Sequence, residues 1–205
     1  MHRIKKTFKA AEQNRPDVVL ARGLWQWLTG DIDVSRFIFI DESGAKTNMA
    51  RLYGRAFGGA RVFASVPHGH WCSTTMIAAV GTWGTRAPFV FEGAMDREMF
   101  RAYVKEILVP ELKAGDIVVM DNLSCHKDEK ARGYIEKAGA CVWYLPPYSP
   151  DFNPIEKMWS KVKAFLRKVA ARTEEALFQA IKEALAVITL SDIKGWFKSC
   201  GYSFV

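Results

Sequence analysis

Apolar and polar positions recur with two different periods along the chain, and the periods separate strands from helices. Residues 37–41 (FIFID) and 117–121 (IVVMD) each hold four consecutive apolar residues and then an aspartate, which is typical of strands buried on both faces. Shorter segments between turn residues predict further strands near 51–53, at 72–80, at 88–92 and at 141–145.

Other segments have the helical period, with apolar residues three or four positions apart. It predicts helices at 17–28, 95–112 and 127–138, and three more between Asn153 and the C-terminus, divided near Arg172 and Ser191. Strands followed by alternating helices and strands are the order of a mixed α/β domain, with helices packed on a central sheet.

The chain has 205 residues, which is the size of one domain with a short extension. Residues 1–36 are interpreted as a basic arm and linker helix, and residues 37–205 as the domain. The arm owes its charge to basic residues that outnumber the acids, namely Arg3, Lys5, Lys6, Lys9 and Arg15.

A formal net charge of +7 favours an acidic polymer such as nucleic acid as the partner. No uninterrupted apolar stretch reaches the roughly 20 residues of a membrane helix, and no apolar segment follows the basic start as in a signal peptide. We therefore expect a cytoplasmic protein that does not enter a membrane. The cysteines lack metal or disulfide spacing and are interpreted as reduced thiols: Cys72, Cys125, Cys141 and Cys200.

Two of the buried strands end in an acid, Asp41 and Asp121. If these strands are parallel neighbours, both carboxylates lie at the edge of the sheet where α/β domains bind ligands. Two adjacent carboxylates repel each other unless a proton or a cation lies between them, and their oxygens suit Mg²⁺ or Mn²⁺. Either acid alone is better explained as the end of a strand, so only the repeated pattern favours a site.

A third acid, Glu156, begins the helix that follows Asn153 and Pro154. Asn153 is a favourable N-cap and Glu156 stands at the third helical position, so a capping box explains this glutamate without any catalysis. Glu156 also flanks the apolar face of that helix, from which it could point towards the strand ends.

The same helix is strongly basic, with six basic residues and one acid between positions 153 and 172. Such a face is either solvated or suited to a phosphate backbone, and we expect it to contact DNA. The residues proposed for that contact are Lys157, Lys161, Lys163, Arg167 and Lys168.

The histidines are interpreted as structural, because no third soft ligand lies at zinc spacing from His126, His68 or His70. GxxxxGK, GxGxxG, GxSxG and HExxH are absent, which argues against a nucleotide-driven motor, a dinucleotide enzyme, a serine hydrolase and a zincin.

The three acids, with the strings FIFIDES, VVMDNLSCH and LPPYSPDFNPIEKMWSKVK, resemble the catalytic domain of a DDE transposase of the mariner superfamily. Thirty-four residues separate Asp121 from Glu156, as is typical of that superfamily. The resemblance is closer to the bacterial insertion-sequence six-thirty family, and it extends from Val34 to the C-terminus.

This resemblance implies a ribonuclease H-like fold, in which a five-stranded mixed sheet is flanked by helices. It implies that Asp41, Asp121 and Glu156 hold two Mg²⁺ or Mn²⁺ ions. The activity implied is cleavage of DNA at transposon ends and transfer of those ends to target DNA, at a TA dinucleotide. Supporting roles at motif positions fall to Asn122, His126 and Asn153.

The family also implies a homodimer on DNA, in the bacterial cytoplasm and at the nucleoid. Its members have an upstream helix-turn-helix region, and this chain begins at what resembles the linker after it. We therefore expect an upstream helix-turn-helix polypeptide or reading frame as a partner. Two alternatives remain open at this point: a ribonuclease H-like nuclease that never joins strands, and a non-catalytic DNA-binding remnant.

Overall fold

A five-stranded mixed sheet forms the centre of the fold in the computed structural model, which describes residues 10–51, 53–66 and 71–204. The spatial order of the strands is β3-β2-β1-β4-β5, where β1 and β2 and then β2 and β3 are antiparallel, and β4 and β5 continue the sheet parallel to β1. The strands are β1 (Phe37–Lys46), β2 (Ser73–Gly81), β3 (Gly84–Glu92), β4 (Ile117–Met120) and β5 (Cys141–Tyr144).

Helices make the parallel connections and cover both faces of the sheet, as parallel strands require. They are α1 (Pro16–Gly30), α2 (Arg97–Tyr103), α3 (Glu129–Lys137), α4 (Pro154–Val169), α5 (Glu174–Ala186) and α6 (Leu190–Ser199). The helix expected at 95–112 changes geometry after α2, into a π turn at Val104–Leu108 and a 3₁₀ turn at Val109–Glu111. Pro110 cannot donate a backbone hydrogen bond, so the regular helix does not continue through it.

Alternation along β1 divides the core into two layers. Phe37 and Phe39 face one side of the sheet, where they pack with apolar residues of α4, α5 and α6. Ile38 and Ile40 face the other side, against apolar residues of α2 and α3. The continuous apolar run is therefore explained by a strand that is buried on both faces. The same alternation decides which way each of the following polar residues points.

Helix α1 packs on the domain. Trp25 is 6% exposed and belongs to the same core cluster as Phe37, and its indole Nε1 donates to the hydroxyl of Tyr202 at 3.2 Å. The helix expected at 17–28 is thus present, while the domain boundary at residue 36 stays a prediction. The basic residues of the arm from Arg3 to Lys9 lie outside the described residues.

The strand expected near 51–53 is wrong for Arg51 and Tyr53, which have no regular secondary structure, and Leu52 lies outside the described residues. His68 and His70 also lie outside them. None of the described helices is both long enough and apolar enough to span a bilayer.

Candidate active site

Asp41 and Asp121 lie side by side at one edge of the sheet. The parallel register pairs Phe37 with Ile117 and Phe39 with Val119, and its continuation places Asp41 level with Asp121. Both acids line a cleft of about 410 Å³, together with Glu156 and the segment 145–150. The expectation that parallel neighbouring strands bring the acids together is confirmed by this pairing. The expectation that β1 ends at Asp41 is wrong, because β1 continues to Lys46 through its antiparallel pairing with β2.

Glu156 reaches the cleft from the first turn of α4. Asn153 precedes the helix, but its side chain makes no capping hydrogen bond, so the capping box does not form. Its amide Oδ1 is buried with no hydrogen-bond partner among the described residues, and Asn153 also lines the cleft. Glu156 therefore has no capping role that would account for it, and its side chain is exposed.

The pKa of Asp41 reflects its burial and the other acids nearby. Asp41 is 8% exposed, and burial, with the negative charges of Glu156, Glu42 and Asp121, raises its pKa to about 8. A buried carboxylate surrounded by other carboxylates favours its protonated form, because burial disfavours the charge and like charges repel it. The arrangement is therefore one that a bound cation would stabilise.

His126 lies beneath Asp121 and holds it. Its ring Nδ1 is 2.7 Å from Oδ1 of Asp121, and the backbone N–H of Leu123 donates to the same oxygen at 2.9 Å. Burial alone would raise the pKa of Asp121, but these hydrogen bonds outweigh it and leave that pKa below its ordinary value. The surroundings of the two acids therefore shift their pKa values in opposite directions.

Glu42 is a site residue that the sequence analysis missed. Its carboxylate Oε2 lies 2.9 Å from Nε2 of His126, so one buried imidazole bridges two carboxylates. Burial lowers the pKa of His126, but the hydrogen bonds to Asp121 and Glu42 and their charges raise it to about 9. Alternation in β1 indicates that Glu42 points away from Asp41, but no local pattern indicates its partner 84 positions along the chain.

The segment 145–150 that walls the cleft is tied to two parts of the fold. Asn122 donates from Nδ2 to the carbonyl of Leu145 at 2.5 Å. Arg22 of α1 donates to the Ser149 hydroxyl at 2.7 Å and to both carboxylate oxygens of Asp151, at 2.9 and 2.6 Å. The linker helix therefore supports the turn that leads into Asn153 and Glu156.

The basic residues of α4 do not form one free face. Lys161 donates from Nζ to Asp192 of α6 at 2.6 Å and to the carbonyl of Val187 at 3.2 Å, so a DNA contact would compete with these bonds. Arg172 lies beyond the end of α4 and donates to two backbone carbonyls, at 2.9 and 3.0 Å. The DNA contacts proposed for the basic residues of α4 stay a prediction: Lys157, Lys161, Lys163, Arg167 and Lys168.

The mixed sheet, its strand order and the acidic cleft where β4 ends beside the middle of β1 define a ribonuclease H-like domain. Its family follows from the sequence, since residues 36–178 match the model of the DDE superfamily endonucleases. The chain belongs to that family.

Known relatives agree with this assignment. The Tc1 transposable element transposase of Caenorhabditis elegans is 23% identical in an alignment of 202 residues that covers 93% of this chain and 72% of that protein. The Mos1 transposase in its paired-end complex with the left transposon end shares the fold, at a TM-score of 0.74 and 14% identity, over 100% of this chain and 69% of that one. The isolated catalytic domain of Mos1 mariner transposase matches at a TM-score of 0.58 and 13% identity, over 98% of this chain and 100% of that one. The molecule is a DDE endonuclease domain of the transposase type.

Proposed function

We propose that this chain catalyses DNA transposition as a member of the bacterial insertion-sequence six-thirty family, cutting DNA at the ends of an element and joining those ends to a target. The observation that carries the proposal is the convergence of Asp41, Asp121 and Glu156 on one cleft. The closer family assignment rests on the motif strings that surround these acids.

The three acids fit divalent cations. Burial and the neighbouring carboxylates of Glu156, Glu42 and Asp121 raise the pKa of Asp41, so a bound cation would favour its ionised form. Carboxylate oxygens are the ligands that Mg²⁺ and Mn²⁺ prefer, and structures of the related Mos1 enzyme are described with each of these ions. We propose two ions held by Asp41, Asp121 and Glu156. Ions bound there would activate the attacking water or 3′-hydroxyl and neutralise the leaving oxygen.

The chain's own residues would act mainly by orientation. Asp41 and Asp121 project from neighbouring strands of a rigid sheet, so their separation is set by the backbone register. His126 orients Asp121, and the anchored segment 145–150 positions the start of α4 and with it Glu156. Preorganised ligands lose little freedom when the phosphodiester binds, which is how such a site lowers the barrier.

The proposed substrate is DNA, contacted by the basic residues of α4 that remain unpaired with α6. From the resemblance we also propose that TA dinucleotides are the targets, that the active form is a homodimer, and that an upstream helix-turn-helix polypeptide or frame recognises the element ends. The place of action would be the nucleoid in the bacterial cytoplasm.

A strand-joining assay tests this function. The purified chain is incubated with Mn²⁺, a short duplex with a free 3′-hydroxyl and a plasmid rich in TA, and the junctions are sequenced. We expect joined products at TA sites, lost in Asp121→Asn and kept in Asp31→Asn, which removes an exposed acid outside the cleft.

The other outcomes separate the alternatives. Cleavage without joining would support a nuclease. Complete absence of cleavage and joining, with DNA binding the same in wild type and Asp121→Asn, would support a non-catalytic DNA-binding remnant.

A further inference from the structure

We propose that Glu42, Cys125 and His126 form a second metal site, distinct from the acidic cleft, that binds one Zn²⁺ ion. One ligand atom from each side chain lies within 4.8 Å of the other two. Nε2 of His126 is 2.9 Å from Oε2 of Glu42, and Sγ of Cys125 is 3.9 Å from Oε1 of the same carboxylate. Ligands about 2.0 to 2.3 Å from a tetrahedral zinc ion lie roughly 3.5 Å apart, so shifts of about 1 Å or less would complete the site.

The environment of His126 already has the form of a zinc-binding histidine. A carboxylate on one ring nitrogen orients the other nitrogen towards a metal, and Asp121 is that carboxylate, 2.7 Å from Nδ1. Nε2 faces Glu42 at 2.9 Å and would exchange that hydrogen bond for the ion, which both side chains would then bind. The ring packs against Phe100 with centroids 4.7 Å apart, and Tyr144 donates to the His126 carbonyl at 3.0 Å. These contacts already hold the ring and its backbone in place before an ion binds.

The position of Glu42 separates this site from the cleft. Glu42 follows Asp41 in β1, so the two side chains point to opposite faces of the sheet. Asp41 and Glu156 are therefore not ligands of the proposed zinc ion, and Asp121 supports it only through the imidazole. Cys125 and Glu42 are partly exposed, which leaves room for a water molecule as the fourth ligand.

The ligand set selects zinc over magnesium. A thiolate and an imidazole suit Zn²⁺, whereas Mg²⁺ prefers oxygen ligands only. Metal-bound cysteine is a thiolate, so binding would release the proton of the Cys125 thiol.

Cobalt spectroscopy tests the site without DNA or catalysis. Co²⁺ is added to the full chain in excess Mg²⁺, which occupies oxygen-only sites. We expect a thiolate-to-cobalt charge-transfer band in the wild type, lost in Cys125→Ser and retained in the matched variant Cys141→Ser. Glu42→Gln is expected to weaken binding by about tenfold.

Zinc binding should also stabilise the fold. At about 100 times its dissociation constant, Zn²⁺ is expected to raise the Tm of the wild type by about 5 °C and that of Cys125→Ser by much less. Zn²⁺ should protect Cys125 from alkylation in the wild type, which tests the site even if the serine variant folds poorly.

The proposal is overturned if no charge-transfer band forms, if the band persists in Cys125→Ser, or if zinc leaves alkylation of Cys125 unchanged. Asp41→Asn should keep the cobalt band. A protein that binds cobalt in this way but never cuts DNA would contradict the proposed function and leave the zinc site standing.

Discussion

The imidazole of His126 lies 2.7 Å from the carboxylate of Asp121 and, through its other nitrogen, 2.9 Å from that of Glu42. This bridge joins the residue that follows β4 to the middle of β1, beside the cleft. Because the ring is buried and held at both nitrogens, it restricts the rotation of Asp121.

Loss of this bridge should weaken metal-dependent activity. In His126→Ala, Asp121 loses its oriented partner, and we expect DNA cleavage to fall about 10- to 100-fold at low Mn²⁺. His126→Gln, which can still donate one hydrogen bond, should retain part of the activity. Cleavage rates over a Mn²⁺ titration measure the effect, with circular dichroism to verify folding. Equal rates for wild type and alanine variant at every Mn²⁺ concentration would contradict a positioning role.

Glu156 should be needed for DNA cleavage but should contribute little to the stability of the fold. Its side chain is exposed and Asn153 forms no side-chain cap, so Glu156→Gln removes a cleft carboxylate without removing packing. We expect cleavage to fall by about 100-fold or more while the Tm changes by less than about 2 °C. Glu175→Gln, an exposed acid in the first turn of α5, is the matched control. Cleavage lost equally in both variants would remove Glu156 from the site.

Arg22 should couple the linker helix to the cleft. Arg22→Ala breaks three hydrogen bonds to Ser149 and Asp151 and the contact of the guanidinium over the Phe152 ring, whose centroid is 4.2 Å from Cζ. We expect a loss of about 1 to 3 kcal/mol in the free energy of unfolding and reduced cleavage.

The control for this prediction is Arg15→Ala, which breaks an exposed pair with Asp17 and should lower the free energy of unfolding much less. Denaturant unfolding compares the two variants. If the two variants lose the same free energy of unfolding, the contacts of Arg22 with Ser149 and Asp151 do not stabilise the fold more than an exposed ion pair does.

The contribution of Asp128 to the stability of the fold should depend on pH. Its carboxylate accepts from Arg101 at 2.6 and 3.0 Å and caps α3 through the N–H of Ala131. The Arg101 hydrogen bonds lower the pKa of Asp128 to about 2, from an ordinary 3.8. Its stabilisation is therefore complete above about pH 4 and is lost as the pH falls through about 2.

Asp128→Asn should accordingly lose about 2 kcal/mol at pH 7, and the difference from wild type should shrink between pH 4 and pH 2. Thermal melts across that range measure it. A difference that stays constant down to pH 2 would show that the charge of Asp128 is not what stabilises the fold.

Two lysines of α4 should contribute differently, one to DNA binding and the other to the stability of the fold. Lys168 is exposed, so Lys168→Ala should weaken binding to all DNA sequences alike and reduce the salt dependence of binding by about one unit of slope. Lys161 is paired with Asp192, so Lys161→Ala should lower the Tm and change that slope less. Fluorescence anisotropy over a salt series distinguishes them. A sequence-selective loss in Lys168→Ala would contradict a phosphate contact.

Most elements of this fold are apparent in the pattern of residues. The run of apolar residues before Asp41 indicates a strand buried on both faces, and the spacing along α4 indicates its apolar side, because each depends only on neighbours in sequence. Arg51 and Tyr53 show where this fails, since a short apolar segment does not determine whether another strand pairs with it.

The amino-acid sequence by itself determined the strands and helices, their α/β order, and the three acids whose motifs resemble a DDE transposase. Only the tertiary structure decided that Glu42 meets His126, that Lys161 is bound to Asp192, and that Arg22 supports the cleft. Periodicity is a local property of the chain, whereas side chains far apart in sequence meet only through strand pairing and helix packing. The chemistry of the acids can therefore be recognised from motifs, but the side chains that hold them in place cannot.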